Sequence, residues 1–258
     1  MLSPIEYLQQ DSSLAVASAA LDRDAASDLP VLDRAGRLAG LLSRADLYQA
    51  GRRPSAAASA RERVWSSNDT VRRLVRSWVP VTRPDSTLGE CARRMVRRRL
   101  QRIYVSSSGT LQGVVSTGEL MRALAESGAS QSVESLATAR VEIIDVQSPM
   151  SIAIARLKAD ATLVLVVQRS GASLGVLTQQ DLLASREADP ADLAGYWMDR
   201  SLLRLEPGVP AARAAHQACA ARCQHVVLQT QSVPHALVSR LDFARLVGGQ
   251  PPLPAPRR

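Results

Sequence analysis

Four stretches of this chain line up without gaps. They are Gly40-Leu-Leu-Ser-Arg-Ala-Asp-Leu47, Gly113-Val-Val-Ser-Thr-Gly-Glu-Leu120, Gly175-Val-Leu-Thr-Gln-Gln-Asp-Leu182 and Ala236-Leu-Val-Ser-Arg-Leu-Asp-Phe243. The shared pattern is a glycine, two apolar residues, Ser or Thr, two variable residues, an acid and an apolar residue. The starting points lie 73, 62 and 61 residues apart. A unit of about 60 residues used four times therefore accounts for the chain, and fixed-period self-similarity dictates the fold more strongly than any single motif.

Each unit repeats its upstream context. An apolar run comes first: Leu29–Leu32, Ile103–Val105, Leu163–Val167 and Val226–Leu228. A polar turn follows, Asp33–Gly36, Ser106–Gly109 or Arg169–Gly171, and then a second apolar run ends at the Ser/Thr. Two short apolar runs around a glycine-bearing turn read as a β-hairpin. In the fourth unit the turn, Thr230–His235, reads as irregular. Before the hairpin lies an amphipathic stretch, such as Leu88–Val96 or Ala211–Ala221, with helical periodicity. A second helix is expected from the Ser/Thr onward. The predicted unit is strand, helix, strand, strand, helix.

The Ser/Thr-x-x-acid element has two physical readings. It is a capping box, in which the hydroxyl satisfies an early helix N–H and the acid reaches back to the cap. This covers Ser43/Asp46, Ser116/Glu119, Thr178/Asp181 and Ser239/Asp242 without any ligand. Alternatively, a helix N-terminus reached by a tight glycine turn attracts phosphate, and the carboxylate accepts bonds from ribose hydroxyls. The local pattern alone admits both.

The unit Leu29–Leu47 resembles the core of a CBS domain, named after cystathionine β-synthase, and all four repeats resemble it over most of residues 1–248. The fourth is the weakest match, with Ala236 in place of the glycine. The resemblance implies an α/β fold of four β-α-β-β-α repeats packed as two pseudo-symmetric pairs. The first pair spans 1–126 (repeats about 1–50 and 77–126, polar linker 51–76). The second spans 130–248 (repeats about 135–187 and 195–248), and 249–258 is a Pro-rich tail read as disordered. It further implies clefts that hold AMP, ADP, ATP, S-adenosylmethionine or a related adenosine compound, with no cofactor required. In such clefts the motif acid holds ribose and the Ser/Thr sits near phosphate. Carried over residue by residue, the ligand-binding candidates are Asp46, Ser43, Asp181, Thr178, Asp242 and Ser239, with Ser116 and Glu119 weaker because glutamate suits the capping box better.

Some members of the family also place His or Arg just before the hairpin's first strand, against phosphate. Here those positions carry Asp28, Arg102, Leu163 and His225. Asp28 would repel phosphate and Leu163 is inert. Asp46 with Arg102, and Asp181 with His225, would supply complementary parts of one cleft in each pair. Pairs in this family also associate into discs, so a homodimer and a regulated partner protein are expected.

Composition removes other classes. The single lysine, Lys158, is followed by Ala159, so there is no standard P-loop. No G-x-G-x-x-G or H-E-x-x-H occurs, the three histidines fall within twenty residues, and no catalytic set is visible. The chain reads as a non-enzyme. No stretch approaches the roughly 20 apolar residues of a membrane span. The start lacks a signal-peptide pattern, and three cysteines are too few for a disulfide framework. A reducing, cytoplasmic setting follows as an expectation. His216, Cys219, Cys223 and His225 have a zinc-like look, but the matching positions Val96 and Leu100 in the second repeat favour core packing. Trp65, Trp78 and Trp197 are expected to anchor cores.

The net charge of +8 is local. Residues 61–105 hold twelve arginines and four acids, while the rest of the chain carries equal numbers of each sign. The densest run, Arg93 to Arg102, reads as a solvated helix face. An acidic partner, an anionic ligand or nucleic acid bound through phosphate contacts remain the functional alternatives. A further alternative is a ligand-free interaction module that kept the fold and lost the cleft. The stretch 52–68 reads as a polar linker.

Overall fold

The computed structural model describes residues 5–24, 28–43, 46–47, 69–160, 163–178, 181 and 189–250. The linker 52–68, Trp65 and the tail from 251 lie outside the described residues. The strands are β1 (Leu8–Gln9), β2 (Asp28–Leu32), β3 (Leu38–Ser43), β4 (Val81–Thr82), β5 (Arg102–Ser107), β6 (Thr110–Ser116), β7 (Arg140–Asp145), β8 (Leu163–Arg169), β9 (Ala172–Leu177), β10 (Leu202–Leu205), β11 (His225–Thr230) and β12 (Val233–Ser239). The described helices are α1 (Leu14–Asp24), α2 (Leu88–Arg98), α3 (Thr117–Glu126), α4 (Met150–Ala159), α5 (Ala194–Trp197), α6 (Ala211–Ala220) and α7 (Arg240–Val247). The strands form four three-stranded sheets, β1-β2-β3, β4-β5-β6, β7-β8-β9 and β10-β11-β12. In each, the first strand runs parallel to the second across a helix and the hairpin is antiparallel.

The periodicity of two explains the layering. Strand β8, Leu-Val-Leu-Val-Val-Gln-Arg, is buried through its first six residues. Leu163, Leu165 and Val167 join the core under α4, with Met150, Ala153 and Leu157. Val164 and Val166 face the other way and pack with Val176, Val227 and Leu237. Alternate side chains of one strand thus feed a helix–sheet core and a sheet–sheet core.

The hairpins of repeats two, three and four all turn in two residues with positive φ: Ser108–Gly109, Ser170–Gly171 and Gln231–Ser232. That geometry matches the twist of the strands. The fourth turn is therefore not irregular in length, contrary to the sequence reading; it adopts the same turn without glycine.

The chain divides into two compact units, residues 1–86 with 101–115, and residues 87–100 with 116–258. In the first unit, Leu8, Leu14, Leu21, Leu29, Val31, Leu42 and Val71 form the core of repeat one. The Tyr104 hydroxyl donates to Asp28 at 2.6 Å, and Leu38 N–H donates to the Gly109 carbonyl at 2.9 Å. In the second unit, α3 packs on α6 and α7, and α2 packs on α7. Met121, Leu124, Ala211, Ala214, Ala215, Ala218 and Phe243 lie at that junction. Helices of the second repeat thereby cover helices of the fourth within one chain. Arg93, from the arginine run, donates to the Gly248 carbonyl at 3.1 Å and so serves the C-terminal end of α7.

Tryptophan follows the expectation only in part. Trp197 packs beside the repeat-three core and its indole N–H donates to Asp192 at 3.1 Å. Trp78 is 53% exposed and anchors no core.

Candidate functional site

All four Ser/Thr-x-x-acid elements form capping contacts. Ser43 N–H and Oγ donate to Asp46 Oδ2 at 2.8 and 2.6 Å, and Thr178 N–H and Oγ1 donate to Asp181 Oδ2, both at 2.7 Å. Ser239 donates likewise to Asp242 Oδ2 at 2.8 and 2.7 Å, and Ser116 N–H donates to Glu119 Oε2 at 2.8 Å. One carboxylate oxygen of each acid is spent on its own helix start. The second oxygen distinguishes the repeats.

In repeat one, Arg76 Nε donates to both oxygens of Asp46 at 2.8 and 2.9 Å, and its Nη2 donates to the Ser43 hydroxyl at 2.7 Å. In repeat two, Glu119 is buried and its Oε1 lies 3.6 Å from Arg122. In repeat four, Asp242 is buried and its Oδ1 accepts from the Thr138 hydroxyl at 2.7 Å. In repeat three, no described residue donates to Oδ1 of Asp181.

In repeats one, three and four the difference comes from a segment that bridges the hairpin's second strand. Arg76 exchanges backbone hydrogen bonds with Leu41 at 2.8 and 2.9 Å, and Asp199 does the same with Val176, both at 2.9 Å. Ala139, next to Thr138, forms an isolated antiparallel bridge with Leu237. The motif glycine permits this approach: a Cβ on Gly40 would stand 2.4 Å from the Arg76 carbonyl oxygen, and one on Gly175 2.7 Å from that of Asp199. Gly40 and Gly175 are strand residues under a crossing backbone. The expectation of a tight glycine turn at the helix start is corrected on that ground.

His225 and Asp199 stand close enough to Asp181 for their charges to act on it, Ser201 holds Asp199, and Arg240 acts on His225. Asp199 accepts from Ser201 N–H and hydroxyl at 2.8 and 2.9 Å, and its Oδ2 lies 3.6 Å from His225 Nε2. His225 Nδ1 is buried without a hydrogen-bond partner. The Arg240 guanidinium donates to the carbonyls of Cys223 and Arg222 at 3.1 and 3.4 Å. Burial raises the Asp181 carboxyl above its ordinary value, opposed by its bonds to Thr178 and the field of His225, and Asp199 raises it further. Burial lowers the His225 imidazole, opposed by Asp199 and Asp181 and assisted by Arg240. Among the described residues, this buried cluster offers one carboxylate oxygen and one imidazole nitrogen without a hydrogen-bond partner.

Arg102 opens β5 in the first unit, half-buried, and Asp46 pairs with Arg76. Arg76, Asp199, Thr138 and Arg240 were not among the residues expected from the sequence. A signal for two of them exists: Arg76 precedes Arg102 by 26 residues, and Asp199 precedes His225 by 26. Cys223 is buried and Cys219 half-buried, and burial raises both thiols. Among the described residues no three of His, Cys, Asp and Glu gather as a metal site.

A family model described as the CBS domain matches residues 1–53 and 71–126. No curated protein matches the sequence. Among solved structures, protein MJ1225 of Methanocaldococcus jannaschii, described as a proposed archaeal homologue of γ-AMPK, superposes with a TM-score of 0.70 at 11% identity. The match covers 95% of this chain and 97% of that one. A conserved protein of Pyrococcus horikoshii superposes with a TM-score of 0.63 at 18% identity over 96% and 97% of the two chains. These similarities show a common fold over the whole length. No described helix is long and apolar enough to cross a membrane.

Proposed function

We propose, for a chain whose residues 1–53 and 71–126 match the CBS-domain model and whose fold matches these two solved structures over almost its whole length, a regulatory role in which it binds an adenosine-containing ligand and signals to a partner protein. The repeats work as pairs, 1–126 and 130–248, and the ligand cleft lies in the second pair. The observation that carries this reading is Oδ1 of Asp181, the motif carboxylate oxygen left without a partner among the described residues. Asp181 would accept a ribose hydroxyl, Thr178 would sit near the phosphate or its equivalent, and His225 would add a hydrogen bond from across the cleft. The chain binds and does not catalyse. Free cysteines suit a reducing setting, the cytoplasm.

A ligand that bridges two repeats stabilises one of their relative arrangements, and that population shift is what a partner reads. A homodimer would have to use a face other than that between repeats two and four, which the chain fills by itself.

Thermal unfolding of the chain with AMP, ADP, ATP and S-adenosylmethionine, against guanine nucleotides, tests the reading. Ligand at 100 times its Kd adds about 2.7 kcal/mol, a shift of several degrees for a chain of this size. An adenine-selective shift that disappears in Asp181→Ala supports the cleft. A second reading, the ligand-free interaction module, is favoured by the internal partners of Asp46, Glu119 and Asp242. It takes over if no adenine compound moves the transition. A shift with every polyphosphate that vanishes in salt points to the arginine-rich stretch.

A further inference from the structure

Arg76 and Asp199 hold equivalent positions. Each pairs through its backbone with the residue after a motif glycine, Leu41 or Val176, and each lies 26 residues before the residue that opens the next hairpin. Their side chains have opposite charge. Arg76 spends three hydrogen bonds on Asp46, the acceptor that the diol of a bound nucleoside would need, and on Ser43, the hydroxyl that would sit near its phosphate. Asp199 repels Asp181 and turns to Ser201 and His225 instead. Among the described residues, Oδ1 of Asp181 is left without a donor as the result.

We propose that this crossing residue decides which repeat accepts a ligand: Arg76 is a built-in occupant of the first motif, and Asp199 keeps the third open. The proposal rests on the reading of the motif acid as a ligand acceptor. The Arg76 side chain is 59% exposed while Asp46 is 14% exposed. The guanidinium therefore lies over the acid from the solvent side and belongs to no packed core. The crossing itself is made by the backbone N–H and C=O of residue 76, so it survives a change of side chain. One substitution separates the latch from the fold.

Isothermal titration of the whole chain with AMP, and in parallel with S-adenosylmethionine, tests this. Wild type is expected to bind one equivalent. Arg76→Ala, and Arg76→Met, which keeps the aliphatic stem, are expected to bind two. Asp199→Arg, which copies the first latch onto Asp181, is expected to lose binding by at least 100-fold while keeping a cooperative thermal transition. Two equivalents in wild type, one equivalent in both Arg76 variants, or undiminished binding by a folded Asp199→Arg overturns the latch and leaves the proposed function standing. If wild type binds neither probe while an Arg76 variant binds one, the latch stands and the assignment of the open cleft to Asp181 falls. If no variant binds either probe, both fall.

Discussion

The Thr138 hydroxyl donates to Oδ1 of Asp242 at 2.7 Å, joining residues 104 positions apart. Asp242 is 4% exposed and its other oxygen is bound by Ser239. The motif acid of repeat four is thereby sealed by the chain segment that leads into repeat three. Thr138→Val keeps the shape and leaves a buried carboxylate oxygen unsatisfied, at a cost of about 1–3 kcal/mol. Urea unfolding is expected to show that loss, with adenine-compound binding unchanged.

Gly40→Ala and Gly175→Ala should each destabilise by about 1–3 kcal/mol, because the new methyl meets the crossing backbone at 2.4 and 2.7 Å. Ala236, at the same motif position, already carries a Cβ. Ala236→Gly should therefore gain no room that matters and lose up to about 1 kcal/mol through backbone entropy. Midpoints of chemical unfolding for the three variants decide it; equal effects at all three positions would refute the close-approach account.

Stability should fall as pH drops below 6.5, in part through His225. Burial lowers its pKa from 6.5, with Asp199 and Asp181 opposing and Arg240 assisting. Between the lowered folded value and 6.5 the unfolded chain binds the extra proton, so acid favours unfolding there, and above 6.5 the penalty is gone. Asp181 has the opposite sign. Its raised pKa means the folded chain holds a proton more tightly from 3.8 upward, so its contribution is largest below 3.8 and is lost as pH rises through the folded value. Melting temperatures between pH 5 and 7.5 should slope less in His225→Gln than in wild type.

Helix α6 meets α3 through an alanine face, Ala211, Ala214, Ala215 and Ala218, each 1% exposed or less. Small side chains let the helices of repeats two and four approach. Ala215→Leu overfills that junction and should cost about 1–3 kcal/mol. Ala220→Leu, on the exposed side of the same helix, should stay within about 0.5 kcal/mol. Equal losses in the two variants by urea unfolding would show that the junction is loosely packed.

The repeat was legible because every unit must bury the same alternating strand against the same amphipathic helix, and that requirement leaves a pattern at fixed spacing. Leu163 to Val167 could be placed in a core from the sequence, and so could the capping role of Ser43, Ser116, Thr178 and Ser239. Trp78 and the turn at Gln231–Ser232 were misjudged for a common reason. A residue type gives a statistical tendency, whereas exposure and positive φ are set by neighbours that the local sequence does not name.

By itself, the sequence determined the four β-α-β-β-α units and the four capping boxes, since these depend on contacts within about 60 residues and on periodicities of two and 3.6. It made the four motif acids look alike. The tertiary structure decided how they differ. Whether an acid's second oxygen is taken depends on Arg76, Arg122, Asp199 or Thr138, and three of these come from segments 18 to 104 residues away in sequence. A backbone bridge brings Arg76, Asp199 and Thr138 to their places, and such a bridge carries no record of the side chain it delivers. For that physical reason the repeats share one motif while the third alone, among the described residues, keeps a carboxylate oxygen open.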